Sequence, residues 1–410
     1  MRISTSMLYD AGVSAMNKQS VSLLHIQQQI ASGRRILKPS DDPVAAARAL
    51  EVTQSKNILS QYSTNQDNAN ATLSIEETQL SSLNELLTRV RELAIQASGP
   101  SVTATGRQGI AVELRARYDE LMGIANSADG QGVFLFAGFM GATKPFGGSV
   151  DHLNAGNEII YSGDDGQREL QVSASRMLGV SDAGSDVFMR IANGNGYFAT
   201  GYAAANTGTG TIDLGSVTDP AAWNALADRN LSINFTSATT YDIVDGLGNT
   251  LVSGGAYLSG QPIAIPGGGA SITIKGAPAA GDSFTVEPST AQSVFKTLAS
   301  LIGTLEATIT TSADQAQYAN DLTIALNNVD RASNNILRVR ATIGSRMNEL
   351  ESLATLNQDL DIQYAQTLSD LQDLDYAQAI TDLTRTKSVL DAAQESFAKI
   401  SQLSLFNYLP

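Results

Sequence analysis

One apolar repeat constrains this chain more than any other feature. Tyr318, Leu322, Ala325, Val329, Ala332, Ile336, Val339 and Ile343 follow at steps of three and four, and Leu350, Leu353, Leu360, Tyr364, Leu371 and Leu374 extend the series. Such steps place side chains on one stripe of an α-helix, so a helix over 310–369 is predicted with a seam about 60 residues long that must be covered. The N-terminal part of the chain offers the cover. Asp42-Pro43 is a strong helix start, because Asp can cap and Pro suits the first helical position, and no further Pro appears before Pro100. A helix from Pro43 to Ser98 would be about 84 Å long. Leu73, Leu80, Leu83, Leu87, Val90, Ala94 and Ala97 share one of its faces, and a shorter helix over 107–127 offers Ile110, Leu114, Leu121 and Ala125.

The ends carry their own heptad patterns. Tyr9, Val13, Met16, Ser20, Leu23, Gln27 and Ile30 alternate by four and three until Gly33, and Ile380, Leu383, Leu390 and Phe397 restart the pattern after Asp373-Leu374-Asp375-Tyr376. Between them the composition changes: 27 of the 35 glycines fall between Gly130 and Gly281. There the alternating runs 231–235, 241–244 and 271–274 read as antiparallel strands between Gly and Asp turns. The expected fold is α+β, a long helical rod or coiled coil made by both ends of the chain with an inserted antiparallel β domain. The expected domains are a terminal assembly coil of 1–40 with 372–410, a helical body of 41–190 with 289–371 carrying a β-hairpin region near 130–180, and a surface-exposed β insertion of 191–288.

Composition excludes whole classes of function. With 26 Lys and Arg against 41 Asp and Glu the formal charge is −15, which repels nucleic acid and anionic membranes. There is no Cys, and the two His, His25 and His152, stand far apart, so thiol chemistry and multi-His metal sites are unavailable. Gly194-Asn195-Gly196 and Gly267-Gly268-Gly269 lack the setting that phosphate binding needs and read as turns. Asp164-Asp165-Gly166 lacks the further ligands of a calcium loop. Asp373 and Asp375 read as a solvated helix face rather than an acid–base pair. Trp223 fits a short helix on the β insertion, with sugar stacking the minor alternative. No catalytic residue, cofactor or metal is expected. No cleavable signal is visible at Met1-Arg2-Ile3-Ser4-Thr5 and no segment is long and apolar enough for a membrane helix, so a soluble chain is expected, exported, if at all, by another route.

The first 33 and last 40 or so residues make only a thin helix pair, which rarely stabilises itself in water. Ends of this kind are expected to order by packing on copies of themselves, as in a polymer subunit. The residues expected to carry assembly are Val13, Met16, Leu23, Ile30, Leu383, Leu390, Phe397, Leu405, Phe406 and Leu409. Ordinary intramolecular core is the competing reading of these positions.

Several motifs carry a resemblance. Gly33-Arg34-Arg35-Ile36-Leu37-Lys38-Pro39-Ser40-Asp41-Asp42-Pro43, followed by Ala45-Ala46-Ala47-Arg48-Ala49-Leu50, resembles the N-terminal signature of the flagellin superfamily, and Asp-Asp-Pro its hook-associated branch. Phe134–Gly138 and Tyr161–Gly166 resemble motifs that follow in that branch, and 398–409 is similar to the closing motif of its hook-filament junction proteins. Pro410 is extra, following Leu409, the usual terminal leucine of that motif. The resemblance implies a secreted structural subunit of the bacterial flagellum, at the junction of hook and filament. Its implied partners are copies of itself in a tubular lattice, the other hook-associated junction protein, flagellin, and an FlgN-type chaperone of type III export at the C-terminal helix. Flagellin is the nearest alternative identity. A surface adhesin on a coiled-coil stalk, which would need an anchor or signal, fits less well, and an enzyme least.

Overall fold

In a computed structural model of the chain, residues 5–402 are described. Helices α1 (Thr5–Ser32), α2 (Pro43–Ala97) and α3 (Ala104–Ala125) lead. The next stretch holds β1 (Phe146–Gly147), α4 (Val150–Asn154), β2 (Ile160–Tyr161), β3 (Glu169–Ser173), β4 (Arg176–Gly179) and a π-helical turn, Ser185–Met189. Then come β5 (Ile191–Ala192), β6 (Phe198–Tyr202), β7 (Thr211–Ile212), β8 (Ser216–Val217), α5 (Pro220–Ala225), β9 (Leu231–Ser237) and β10 (Thr240–Asp245). Strands β11 (Thr250–Ala256), β12 (Pro262–Ile265), β13 (Ala270–Lys275), β14 (Ser283–Pro288) and β15 (Ala291–Gln292) precede α6 (Val294–Glu306), α7 (Ser312–Gln372) and α8 (Tyr376–Gln402).

The helices start where the sequence caps them. Asp42 Oδ1 accepts from the Ala45 amide at 3.0 Å ahead of α2. At α7 the cap is reciprocal: Thr311 Oγ1 accepts from the Asp314 amide at 3.0 Å while Asp314 Oδ2 accepts from the Thr311 amide at 2.8 Å. The Thr310 amide and hydroxyl, both donating to Asp314 Oδ2 at 2.8 Å, and then the Thr311 amide hold Asp314 down to a pKa of about 2. Asp375 Oδ1 accepts from the amides of Ala377 and Gln378 at 2.9 and 3.1 Å and so opens α8.

The chain forms two compact units, one up to Thr64 and from Ser352 onward, the other Asn65–Glu351. Residues 43–64 of α2 and 352–372 of α7 belong to the first unit, and the rest of both helices to the second.

In the larger unit α2 and α7 run antiparallel. Tyr318 Oη donates to the Ala97 carbonyl at 2.9 Å, Arg91 pairs with Asp330 at 2.7 Å, and Arg340 pairs with Glu77 at 2.6 Å. The predicted seams close here: Leu73, Leu80, Leu83, Leu87 and Val90 of α2 and Leu322, Val329, Ile336 and Ile343 of α7 are all buried. At one end Phe146, Phe188 and Phe295 stack with centroids 5.2 to 5.9 Å apart, and Tyr118 meets Phe295 edge-on. The motifs 134–138 and 161–166 come together beside them. Tyr161 Oη donates to the Phe136 and Asp164 carbonyls, and Asp164 Oδ1 accepts from the amides of Phe139 and Gly166. Asp165 binds Ser185 Oγ and Arg190. The acidic pair therefore holds the loop.

Residues 198–288 build an antiparallel five-stranded sheet, β11-β10-β9-β14-β6, and a second sheet, β12-β13-β7, in which β8 also pairs with β13. Trp223, Phe198, Phe235, Phe284, Ile233 and Ile272 are core residues between them. Trp223 sits on α5, as expected, and is fully buried, so it cannot stack on a sugar at the surface. Side chains of α7 grip the backbone of this region. Asn320 Oδ1 accepts from the Ile212 amide at 2.8 Å and its Nδ2 donates to the Gly210 carbonyl; Asn328 Oδ1 accepts from the Gly194 amide at 3.1 Å. Arg331 Nε donates to the Gly194 carbonyl at 3.0 Å, and Tyr202 Oη to Asp321 at 2.8 Å.

Candidate assembly interface

Helices α1 and α8 pair antiparallel within the smaller unit. Tyr9 meets Phe397 edge-on at 4.6 Å, and Gln19 Nε2 donates to the Thr386 carbonyl at 3.4 Å. The α8 seam is a heptad of Ala379, Leu383, Thr386, Leu390, Ala393 and Phe397, each buried or half-buried. The α1 seam is Gly12, Met16, Gln19, Leu23, Ile26, Ile30 and Gly33. Met16, Leu23, Ile30, Leu383, Leu390 and Phe397 thus lie on the predicted stripes. Val13, Ser20 and Gln27 do not: they are exposed, with Val13 at 38%, while Gly12, Gln19 and Ile26 face inward. The reason for this corrected phase is Gly12, whose missing side chain lets the Phe397 ring approach. Apolar content alone pointed to Val13. Leu390 is 8% exposed, so it is covered within the chain and not first by assembly. Leu405, Phe406 and Leu409 lie outside the described residues.

Apolar side chains outside the seam stay open to solvent. Val21 (68% exposed) and Leu24 (57%) on α1 lie opposite the seam, and the exposed Ile380 and Val389 of α8 flank it on either side. Asp10, Val13, Ser14, Asn17, Lys18 and Val21 line a broad cleft on α1. On α7 beyond Ser352 the repeat residues Leu353, Leu360, Tyr364 and Leu371 are only half-buried, unlike their counterparts before Glu351.

A joint ties the pair to the start of α2. Gly33 turns the chain at φ 67°, a conformation that favours glycine, and a Cβ there would lie 2.9 Å from Tyr376 Oη. The Leu374 amide donates to the Gly33 carbonyl at 3.0 Å, the Arg35 amide to the Gln372 carbonyl at 2.7 Å, and Arg35 Nη2 to the Leu371 carbonyl at 2.8 Å. Arg35 also pairs with Asp42 at 3.3 Å, and His25 Nε2 lies 3.4 Å from Asp41. Amide donors, first Lys38 for Asp41 and Ala45 for Asp42, hold both carboxyls below the usual range. The signature 33–43 is therefore a structural clasp, and its partners on 371–376 are the residues that sequence reading missed.

Among the described residues no group of three or more His, Cys, Asp or Glu could hold a metal ion, and no helix is long and apolar enough to cross a membrane.

Two family models match the chain, the bacterial flagellin N-terminal helical region over residues 3–140 and the C-terminal helical region over 326–409. The paired terminal helices thus belong to a flagellin-type chain. The flagellar hook-associated protein 3 of Escherichia coli K12 is 25% identical over 407 residues, 99% of each chain. The crystal structure of hook-associated protein 3 from Legionella pneumophila matches with a TM-score of 0.73 and 31% identity, covering 78% of this chain and 98% of that one. The Xanthomonas campestris FlgL structure matches with a TM-score of 0.70 and 29% identity, over 78% and 99%. Flagellins match over shorter stretches. The chain belongs to the flagellar hook-associated protein 3 (FlgL) family, and is a structural component of the bacterial flagellum.

Proposed function

We propose that this protein is the adaptor subunit of the hook-filament junction, forming a ring between the other hook-associated junction protein and flagellin. The observation that carries the reading is the terminal pair itself: the seam of α1 and α8 is closed within the chain, while Val21 and Leu24 opposite the α1 seam, and Ile380 and Val389 on either flank of the α8 seam, stay open to solvent. Two helices alone gain little by exposing such side chains, and packing them on neighbouring subunits supplies the missing burial. Assembly in this reading uses the terminal unit up to Thr64 and from Ser352, the helical body spaces the subunits, and the β insertion faces outward. The protein has no catalytic role, and export uses a chaperone of FlgN type on the C-terminal helix.

Deleting the gene in its source bacterium tests this. Hooks without filaments, with flagellin released into the medium, is the expected phenotype. Loss of extracellular flagellin would make the chain the filament subunit instead, and normal filaments would remove it from assembly.

A further inference from the structure

At the joint, Ile36, Leu37, Pro39, Ala46 and Leu50 line a groove of about 210 Å³ that stays open to solvent, with Leu50 71% exposed. Its rim is cationic. Arg34 and Lys38 are both exposed, and among the described residues no carboxylate pairs with either. Of the acids nearby, Asp42 is engaged by Arg35, Asp41 by His25 and the Leu37 and Lys38 amides, and Asp373, whose backbone pairs with that of Arg34, by Ser369 Oγ. A basic rim around an apolar floor is thus left free on a chain of net charge −15. Its own fold makes no use of it.

The complement occurs elsewhere in the same unit. On α7, Asp359, Ile362, Gln366 and Asp370 follow at steps of three and four, so they share one face, and all four are exposed. Ile362 is uncovered, Asp370 accepts only from Gln366, and neither Asp has a cationic partner among the described residues. From 352 to 402 the chain carries eight acids and three bases, so the stretch favours a basic partner.

We propose that the joint groove of one copy takes this α7 face of a second copy, with Ile362 on the Leu50 floor and Asp359 and Asp370 against Arg34 and Lys38. The proposal rests on the junction-subunit reading and names the contact between its neighbours. The two patches differ, so the contact is head-to-tail, and repetition gives a ring or helical row rather than a closed dimer.

A charge swap tests it in cells lacking the native gene. Full-length chains carrying R34E with K38E, or D359K with D370K, are expected to hold about tenfold fewer filaments per cell, since like charges would then face each other. The chain carrying all four changes is expected to regain filaments, because each copy supplies both patches. Unchanged thermal unfolding of the secreted monomers separates this from misfolding. Full filaments on either double variant would overturn the contact. So would failure of the fourfold variant, which would assign the groove to flagellin or the other junction protein. Loss of filaments in the parent deletion, restored by the wild-type chain, keeps the junction reading standing whichever of these occurs.

Discussion

Gly12 of α1 faces the Phe397 ring of α8 so closely that a Cβ at residue 12 would lie 2.9 Å from Cδ2. The ring occupies the space that a side chain would need, and this sets the depth of the α1–α8 approach. Gly12→Leu is expected to separate the helices and expose the pair to limited proteolysis, and Phe397→Ala in the same chain to restore much of the protection. Equal protection of Gly12→Leu and wild type would mean the close approach is not a constraint.

Leu390 is covered by α1 inside the chain. Leu390→Asp puts a carboxylate into that seam at a cost on the order of 3 kcal/mol. The smaller unit is expected to open while Asn65–Glu351 stays folded, and filament growth to stop. Hydrogen exchange read separately over 5–32 and 65–351 checks both halves; protected α1 amides in the variant would count against the seam.

Asn320 satisfies Ile212 N–H and Gly210 C=O with one side chain, and it is buried. Asn320→Ala orphans both groups, for an expected loss of about 2 kcal/mol. The measurement is denaturant unfolding, with faster amide exchange at Ile212 as the local signature. An unchanged midpoint would show that water replaces the amide.

Glu76 lies almost fully buried, with its Oε1 accepting from the Asp182 amide at 3.2 Å, while Asp182 pairs with Arg346 at 3.0 Å. Burial first, and then the Asp182 charge, push the Glu76 carboxyl well above the usual range. A carboxyl raised in the folded state loses stability as pH climbs from its unfolded value toward the folded one. Glu76→Gln keeps the acceptor and removes that loss. It is expected to raise Tm at pH 8 more than at pH 5; a lower Tm at pH 8 would mean that the ionised group is needed by the nearby Arg346.

Much of this architecture was readable from periodicity. Leu73 to Ala97 and Tyr318 to Ile343 fall on one buried face each, because steps of three and four admit only one helical reading over such lengths. Asp42-Pro43 marked the start of α2 through local capping chemistry, and the strands at 231–237, 240–245 and 270–275 were legible from alternation between turns. The residues of the α1–α8 seam were only partly legible. Val13 looked like a seam residue because it is apolar; Gly12, which has no side chain to score, holds the position.

The sequence by itself determined the long helices and where they begin, three strands of the insertion, and the absence of thiol chemistry, since caps, periodicity and composition act within a few residues; α6, β6 and β14 were not read from it. Tertiary structure alone decided the phase of α1 against α8, the clasp between 33–43 and 371–376, and the grip of Asn320 and Arg331 on the insertion. Those contacts join residues more than a hundred positions apart. They depend on how closely two backbones approach and which carbonyls stay unpaired, quantities that exist only once the chain has folded.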